Sequence, residues 1–252
     1  MSRSRPPPLL APGPFKVAQL PSKSQYELDN GHPVLCLPTR PRGGSAQLNG
    51  GLIIRTDPAV VNAGVEIGFD LGNETMRAPD ISVMAEDVGD GWAQVAPPLA
   101  IEYADSGQDN ADLKRKIAQL LAAGTRAVWV VRLTGVRRVE VHEAGVRGFR
   151  VVAANEELSL PGVLANPFPA AALFDAEQAD RVALRNLLDR FGYVHPAAAR
   201  EEGREEGREE GRILALRDAA LALLRAAGDT NAEARVAGAD ADGLMAIILR
   251  QA

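Results

Sequence analysis

The chain has 252 residues, 46% hydrophobic and 24% charged, which suits one main soluble-type domain with an appendage. Aromatics make up only 4%, too few for a broad base-stacking platform, and the single cysteine, Cys36, excludes an internal disulfide or a cysteine-built zinc framework. The net charge of −5 is unevenly spread: residues 1–55 carry seven bases and two acids, residues 56–112 one arginine and twelve acids, residues 113–175 nine bases and five acids.

The opening "MSRSRPPPLLAPGPF" has arginines but no continuous apolar run, so it does not read as a signal peptide. No segment reaches the length of a membrane span, and a cytoplasmic location is expected. Residues 1–22 are proline-rich and read as disordered or draped over the surface. "YELDNGHPVLCLP" then alternates about a turn at Asp29-Asn30-Gly31, as a hairpin does. The apolar spacing of "GGSAQLNGGLIIRTDPAVV" allows a helix, against which Gly50-Gly51 and Pro58 argue.

From Val65 the strand signals sharpen. "VEIGFDL" reads as one strand, "PDISVMAED" as a second opened by proline, "PLAIEYA" as a third, and "VWVVRL" as a central strand apolar on both faces. "RRVEVHEA" and "GFRVVAA" form a hairpin-like pair. Between the third and fourth strands "NADLKRKIAQLLAAG" is a helix, with Asp109 or Asn110 to cap its start and Gly124 to end it. This order implies an α/β or α+β layer with a mixed sheet.

"LSLPGVLANPFPAAALFD" leaves the sheet through a proline-punctuated segment, and "DRVALRNLLDRF" is a helix. The run "EEGREEGREEGR", residues 201–212, is a four-residue repeat. On a helix its i,i+3 Glu–Arg pairs add a few tenths of a kcal/mol each, whereas its glycines cost roughly 1 kcal/mol apiece. That balance favours a solvated spacer over a packed helix. The alanine- and leucine-rich helices that follow suit packing or self-association, so a homo-oligomer through the C-terminal helices is a candidate. The domain plan is 1–22 as an N-terminal extension, 23–175 as the main domain and 176–252 as a helical tail.

Three elements carry the chemistry: Asp80 in "RAPDISV", Glu102 in "LAIEYAD", and Lys114 or Lys116 on the next helix. A carboxylate embedded in an apolar strand is costly unless paired or metal-bound. Two converging carboxylates suit Mg²⁺ or Mn²⁺, and a nearby lysine can orient or deprotonate water and offset charge on a phosphorane-like transition state. The alternative is a pair of surface acids at strand ends. Helix geometry leaves both lysines open: with Leu113, Ile117, Leu120 and Leu121 as the buried stripe, Lys116 falls about 40° beyond one border and Lys114 about 20° beyond the other. Either reaches the sheet by extending its stem. The scattered histidines lack a metal-type spacing: His142 reads as a strand-face residue, and Cys36 as core.

Taken in order, "YELDNG" (26–31), "RAPDISV" (77–83), "PPLAIEYADS" (97–106), "DLKRKIAQLLAAGTRAVWVV" (112–131) and "LSLPGVL" (158–164) resemble the Uma-two family of restriction endonuclease-like proteins, a bacterial branch of the PD-(D/E)XK nuclease superfamily. The resemblance covers about residues 15–175. It implies a restriction endonuclease-like mixed β-sheet core flanked by helices, with DNA as substrate and Mg²⁺ or Mn²⁺ as cofactor. By it, Asp80 stands for the motif aspartate and Glu102 for the second acid. The usual acid-x-lysine triplet is absent; the family's lysine comes from the next helix, fourteen residues after the acid, here Lys116. Glu27 matches a glutamate that approaches the metal from an earlier segment. Departures are Gln108 in place of an acid, Leu120 in place of an aromatic, and Arg132 in place of an acid. The N-terminal helix motif and its histidine are not recognisable, with Ser45 or Gln47 in its region. The resemblance thus implies a metal-dependent endonuclease, and the departures keep open a nuclease-fold module retained for binding or assembly.

Overall fold

A computed structural model describes residues 13–21, 24–84, 89–105, 110–193 and 196–251. The expectations for most of the N-terminal extension, for Gln108, for Asp109 as a cap and for His195 lie outside the described residues. Two compact units divide between Phe191 and Gly192.

The first unit opens with a hairpin, β1 (Tyr26–Asp29) and β2 (His32–Leu35). Asn30 and Gly31 both take positive φ, 49° and 79°, which is the backbone twist a two-residue hairpin turn requires. Helix α1 (Pro41–Thr56) follows, with proline in its first turn, where a missing N–H costs nothing. The glycine pair expected to weaken it is accommodated in different ways. A Cβ on Gly50 would collide with the Tyr103 hydroxyl, so glycine there permits close packing, whereas Gly51 meets nothing.

"VEIGFDL" is not one strand. β3 (Asn62–Val65) ends at Glu66, whose φ of 51° is left-handed, and the chain resumes as β4 (Phe69–Asp70) in a different sheet. The intervening Gly68 lies against the Trp92 ring, where a Cβ would approach to 2.7 Å. β5 (Met76–Arg77), β6 (Ile81–Met84), β7 (Leu99–Ala104), α2 (Asn110–Ala122), β8 (Ala127–Arg132), β9 (Arg138–Glu143) and β10 (Arg150–Ala153) complete the sheets.

The large sheet has the order β10-β9-β8-β7-β6-β3; the smaller is β2-β1-β5-β4. In the large sheet only β7 and β8 pair in parallel, as the α2 crossover between them demands. Every residue of β7 is buried, because helices cover both faces. On one side α1 lies against β6 and β7 and the turn Ala170–Leu173 against β9 and β10, burying Ile81, Ile101, Trp129 and Val141, and α3 (Ala176–Phe191) packs on α1 and that turn. On the other, Leu113, Ile117 and Leu120 of α2 pack on Ala100, Ala104, Val128 and Val130. The helix expected between the third and fourth strands ends as read: Gly124 takes φ 113° and its N–H donates to the Leu121 carbonyl at 3.2 Å.

The second unit begins with α4 (Pro196–Ala226), a 31-residue helix that contains the EEGR repeat. Gly203, Gly207 and Gly211 have nothing within 4 Å of a built Cβ, and Glu201–Arg204 and Glu209–Arg212 pair loosely at 3.5 and 3.7 Å. Downstream, Ala220 and Leu224 form a small core with Ala232 and Val236 of α5 (Ala232–Val236) and Leu244 of α6 (Ala241–Gln251). No helix among the described residues is long and apolar enough to cross a membrane.

Candidate active site

Glu102 sits in the middle of β7, a central strand, and is only 3% exposed. Such a carboxylate needs a partner, and α2 supplies one. The helix presses its Leu113–Ile117–Leu120 stripe onto the sheet, and Lys116, beside that stripe, is carried under with it at 8% exposure. The Lys116 Nζ lies 2.8 Å from Glu102 Oε1 and 2.9 Å from Glu27 Oε1, and donates to the Ala78 carbonyl at 2.7 Å. Lys114 is exposed on the outer side of the same helix.

Lys116 meets Glu102 Oε1 as an ion pair at 2.8 Å, and among the described residues no second donor reaches that buried oxygen. Burial pushes the Glu102 carboxyl up to about 8. Lys116 opposes that shift, while Asp80 and Glu27 add to it as like charges. The Lys116 ammonium is held far above its ordinary range: burial works against the charge, but Glu102, Glu27 and Asp80 outweigh it.

Asp80 stands just before β6, where the Ile81–Ile101 register brings it towards Glu102. Its Oδ2 accepts the Tyr103 backbone N–H at 2.6 Å, and Gln47 of α1 hydrogen-bonds the same carboxylate. Burial raises the Asp80 carboxyl despite Lys116, the Tyr103 amide and Gln47, which favour the charged form.

Glu27 has both oxygens engaged. Oε1 meets Lys116 and accepts the Ala78 N–H at 3.0 Å, and Oε2 accepts from Arg77 Nη1 at 2.9 Å. Burial pushes this carboxyl up, yet Lys116 and Arg77 prevail and hold it below its ordinary value.

Arg77 was not singled out by sequence reading, although it is the lone base in the acidic stretch 56–112. It is fully buried, donates from Nε to Gln119 at 2.7 Å, and lies 3.4 Å from both Asp29 and Asp112. An acid likewise not singled out, Glu140, falls in one cross-strand row with Glu102 and Val130 and so faces the same side. It is buried and paired with Arg132 at 2.9 Å and Arg138 at 2.8 Å. The arginine that replaces the family acid is therefore matched by a carboxylate from the neighbouring strand.

Cys36, expected in the core, is exposed just beyond β2, as are its neighbours Leu35 and Leu37, because β2 is the edge strand of the small sheet and its apolar run stays uncovered. His142 lies 5.1 Å from Phe149 across the β9–β10 hairpin, with the ring planes tilted by 43°.

Among the described residues no set of three His, Cys, Asp or Glu side chains is arranged to hold a metal ion. The acids present still fit a hard divalent cation: Asp80 and Glu102 offer carboxylate oxygens from just before β6 and from the adjacent β7, a buried one of them met by Lys116 alone among the described residues, and Mg²⁺ commonly takes one or two carboxylates with water and substrate phosphate.

The family model Uma2, described as "Putative restriction endonuclease", matches residues 15–169. Among solved structures, a protein from Anabaena variabilis ATCC 29413 titled "a putative nuclease belonging to DUF820" aligns at 18% identity and a TM-score of 0.54. The alignment covers 62% of this chain and 94% of that one, and shows a shared nuclease-like fold. No curated protein matches the chain.

Proposed function

Because the chain belongs to the Uma2 family, we propose that it is a divalent-metal-dependent endonuclease that hydrolyses phosphodiester bonds in DNA. The observation that carries the reading is the seating of Lys116 between Glu102 and the Ala78 carbonyl, two residues before Asp80. One cation donor and two carboxylates from separate elements thereby meet at the end of β6, in a fold whose family is named for nuclease activity.

Asp80 and Glu102 would hold Mg²⁺ or Mn²⁺, and the ion would supply Lewis-acid activation of the phosphate and of the attacking water. The side chains themselves do the following. The Tyr103 N–H and Gln47 fix Asp80 in one orientation. Lys116 contributes a fixed positive charge beside the carboxylates, where a pentacovalent phosphate accumulates negative charge. Its Nζ contacts three oxygens, so it presents a charge and donors rather than a lone pair. Electrostatic stabilisation therefore fits Lys116 better than proton abstraction. Purified protein with plasmid and Mg²⁺ or Mn²⁺ is expected to cleave, and Asp80→Ala, Glu102→Ala and Lys116→Ala to lose that activity. Equal background in all four overturns the reading.

One observation favours a second reading, a nuclease-fold binding or assembly module. Lys116 pairs with both Glu102 and Glu27, so a side chain of the chain itself already occupies the carboxylate oxygens a metal would use. Mn²⁺ titration separates the two: saturable binding lost in Glu102→Ala supports the enzyme. No binding, together with an oligomer that depends on residues 192–252, supports the module.

A further inference from the structure

The ring of contacts around Glu27 extends beyond the acids and lysine of the reaction. Arg77 is fully buried, follows β5's Met76 and immediately precedes Ala78, whose carbonyl accepts from Lys116 and whose N–H binds Glu27. Its guanidinium reaches four side chains: Glu27 on β1 at 2.9 Å, Asp29 at the hairpin turn, and Asp112 and Gln119 on α2. Gln119 in turn donates to Asp29 at 2.7 Å, and Arg115 joins Asp29 to Asp112 at 2.9 and 3.1 Å. The hairpin and the lysine-bearing helix are thereby locked together through one planar cation.

We propose that Arg77 is a positioning residue that acts through Glu27 to set the place of the Lys116 ammonium. A guanidinium fixes the plane of the carboxylate it pairs with, which an ammonium on the same side would not do. With Oε2 bound by Arg77 and Oε1 shared by the Ala78 N–H and Lys116, Glu27 has one permitted orientation. That orientation aims Oε1 at Nζ and leaves Lys116 directed at Glu102. Glu27 is then the anchor of the lysine rather than a ligand of the metal. This assignment rests on the reading of Lys116 as the cation of the site.

The test uses the full-length protein with ¹⁵N-labelled lysine, of which the chain has only Lys16, Lys23, Lys114 and Lys116. A buried ammonium held by three oxygens exchanges slowly and gives a ¹H–¹⁵Nζ resonance, assigned by its disappearance in Lys116→Met. In Arg77→Lys, which keeps the charge and loses the fork, that resonance is expected to shift or broaden away while the melting transition remains cooperative. An unchanged resonance overturns the proposal. Should Arg77→Lys not fold, Glu27→Gln decides in its place, with the same two outcomes, because Arg77 keeps its contacts to Asp29, Asp112 and Gln119. On DNA, the same variants are expected to lower kcat on the order of 100-fold with KM little changed, the pattern of a misplaced group; unchanged kcat overturns it. If the wild type does not cleave at all, the nuclease reading fails and the resonance still decides the positioning role.

Discussion

Lys116 on α2 and Glu102 on β7, fourteen residues apart in sequence, meet at 2.8 Å inside the sheet–helix layer. Removing one member of a buried pair leaves the other uncompensated, at a cost of about 3–5 kcal/mol. Lys116→Met is therefore expected to be strongly destabilised at pH 8 by chemical denaturation. Glu27→Gln in the same background should restore part of the loss, since the Glu27 carboxyl that Lys116 also pairs is the one held in its charged form, whereas Glu102 without the lysine keeps its proton. An additive double variant would show that Lys116 and Glu27 do not interact.

The raised Glu102 carboxyl gives stability a sign with pH. In the folded chain it retains its proton up to about 8, against 4.5 for the free side chain. The folded state thus binds more protons across that window, so this contribution is fully present below the unfolded value and fades as pH rises through the folded one. Without metal, the wild-type melting temperature should decline between about pH 5 and 8 more steeply than that of Glu102→Gln. Parallel curves would remove Glu102 as the cause.

The same proton links metal to pH. A divalent ion on Glu102 must displace it, so Mn²⁺ affinity should rise from pH 6 to pH 8 with proton release, measured by calorimetry in buffers of different ionisation enthalpy. Affinity independent of pH would place the ion away from Glu102.

Gln47 orients Asp80 from α1. Gln47→Ala is expected to weaken Mn²⁺ binding roughly 10- to 100-fold, as loss of an outer-shell partner does, with the fold intact by circular dichroism. Wild-type affinity in this variant would free Asp80 from that dependence.

The two central glycines of α1 should respond in opposite directions. Gly50→Ala drives a Cβ into the Tyr103 hydroxyl and to 2.7 Å from Ile81 Cδ1, and overpacking of this kind costs about 1–3 kcal/mol. Gly51→Ala meets open space and should stabilise by roughly 0.5–1 kcal/mol. Denaturation midpoints check both.

Periodicity exposed what periodicity governs. The apolar β7 and β8, the α2 stripe and its Gly124 stop were legible because local pattern and tertiary burial agree there. The break at Glu66–Gly68 was not, since nothing in "VEIGFDL" signals a change of sheet, and the Trp92 ring packed on Gly68 comes from 24 residues downstream. The choice between Lys114 and Lys116 was open on helix angles, because each lies near a border of the stripe. Contact with Glu27 and Glu102 distinguishes them, and that depends on where β1 and β7 meet the helix. Arg77 carried a weak signal, a lone base among acids, but its four partners come from two elements, β1 and α2, that no local window joins to it. Family resemblance supplied the order of the acids, and the geometry adds the arginine behind them.

The most direct measurement of the central claim is the rate of plasmid nicking by wild type and by Glu102→Gln, with Mn²⁺ and with chelator. The wild type should nick only with the ion, and the isosteric variant should nick no faster than the chelated control. Nicking at the same Mn²⁺-dependent rate by both proteins would contradict it.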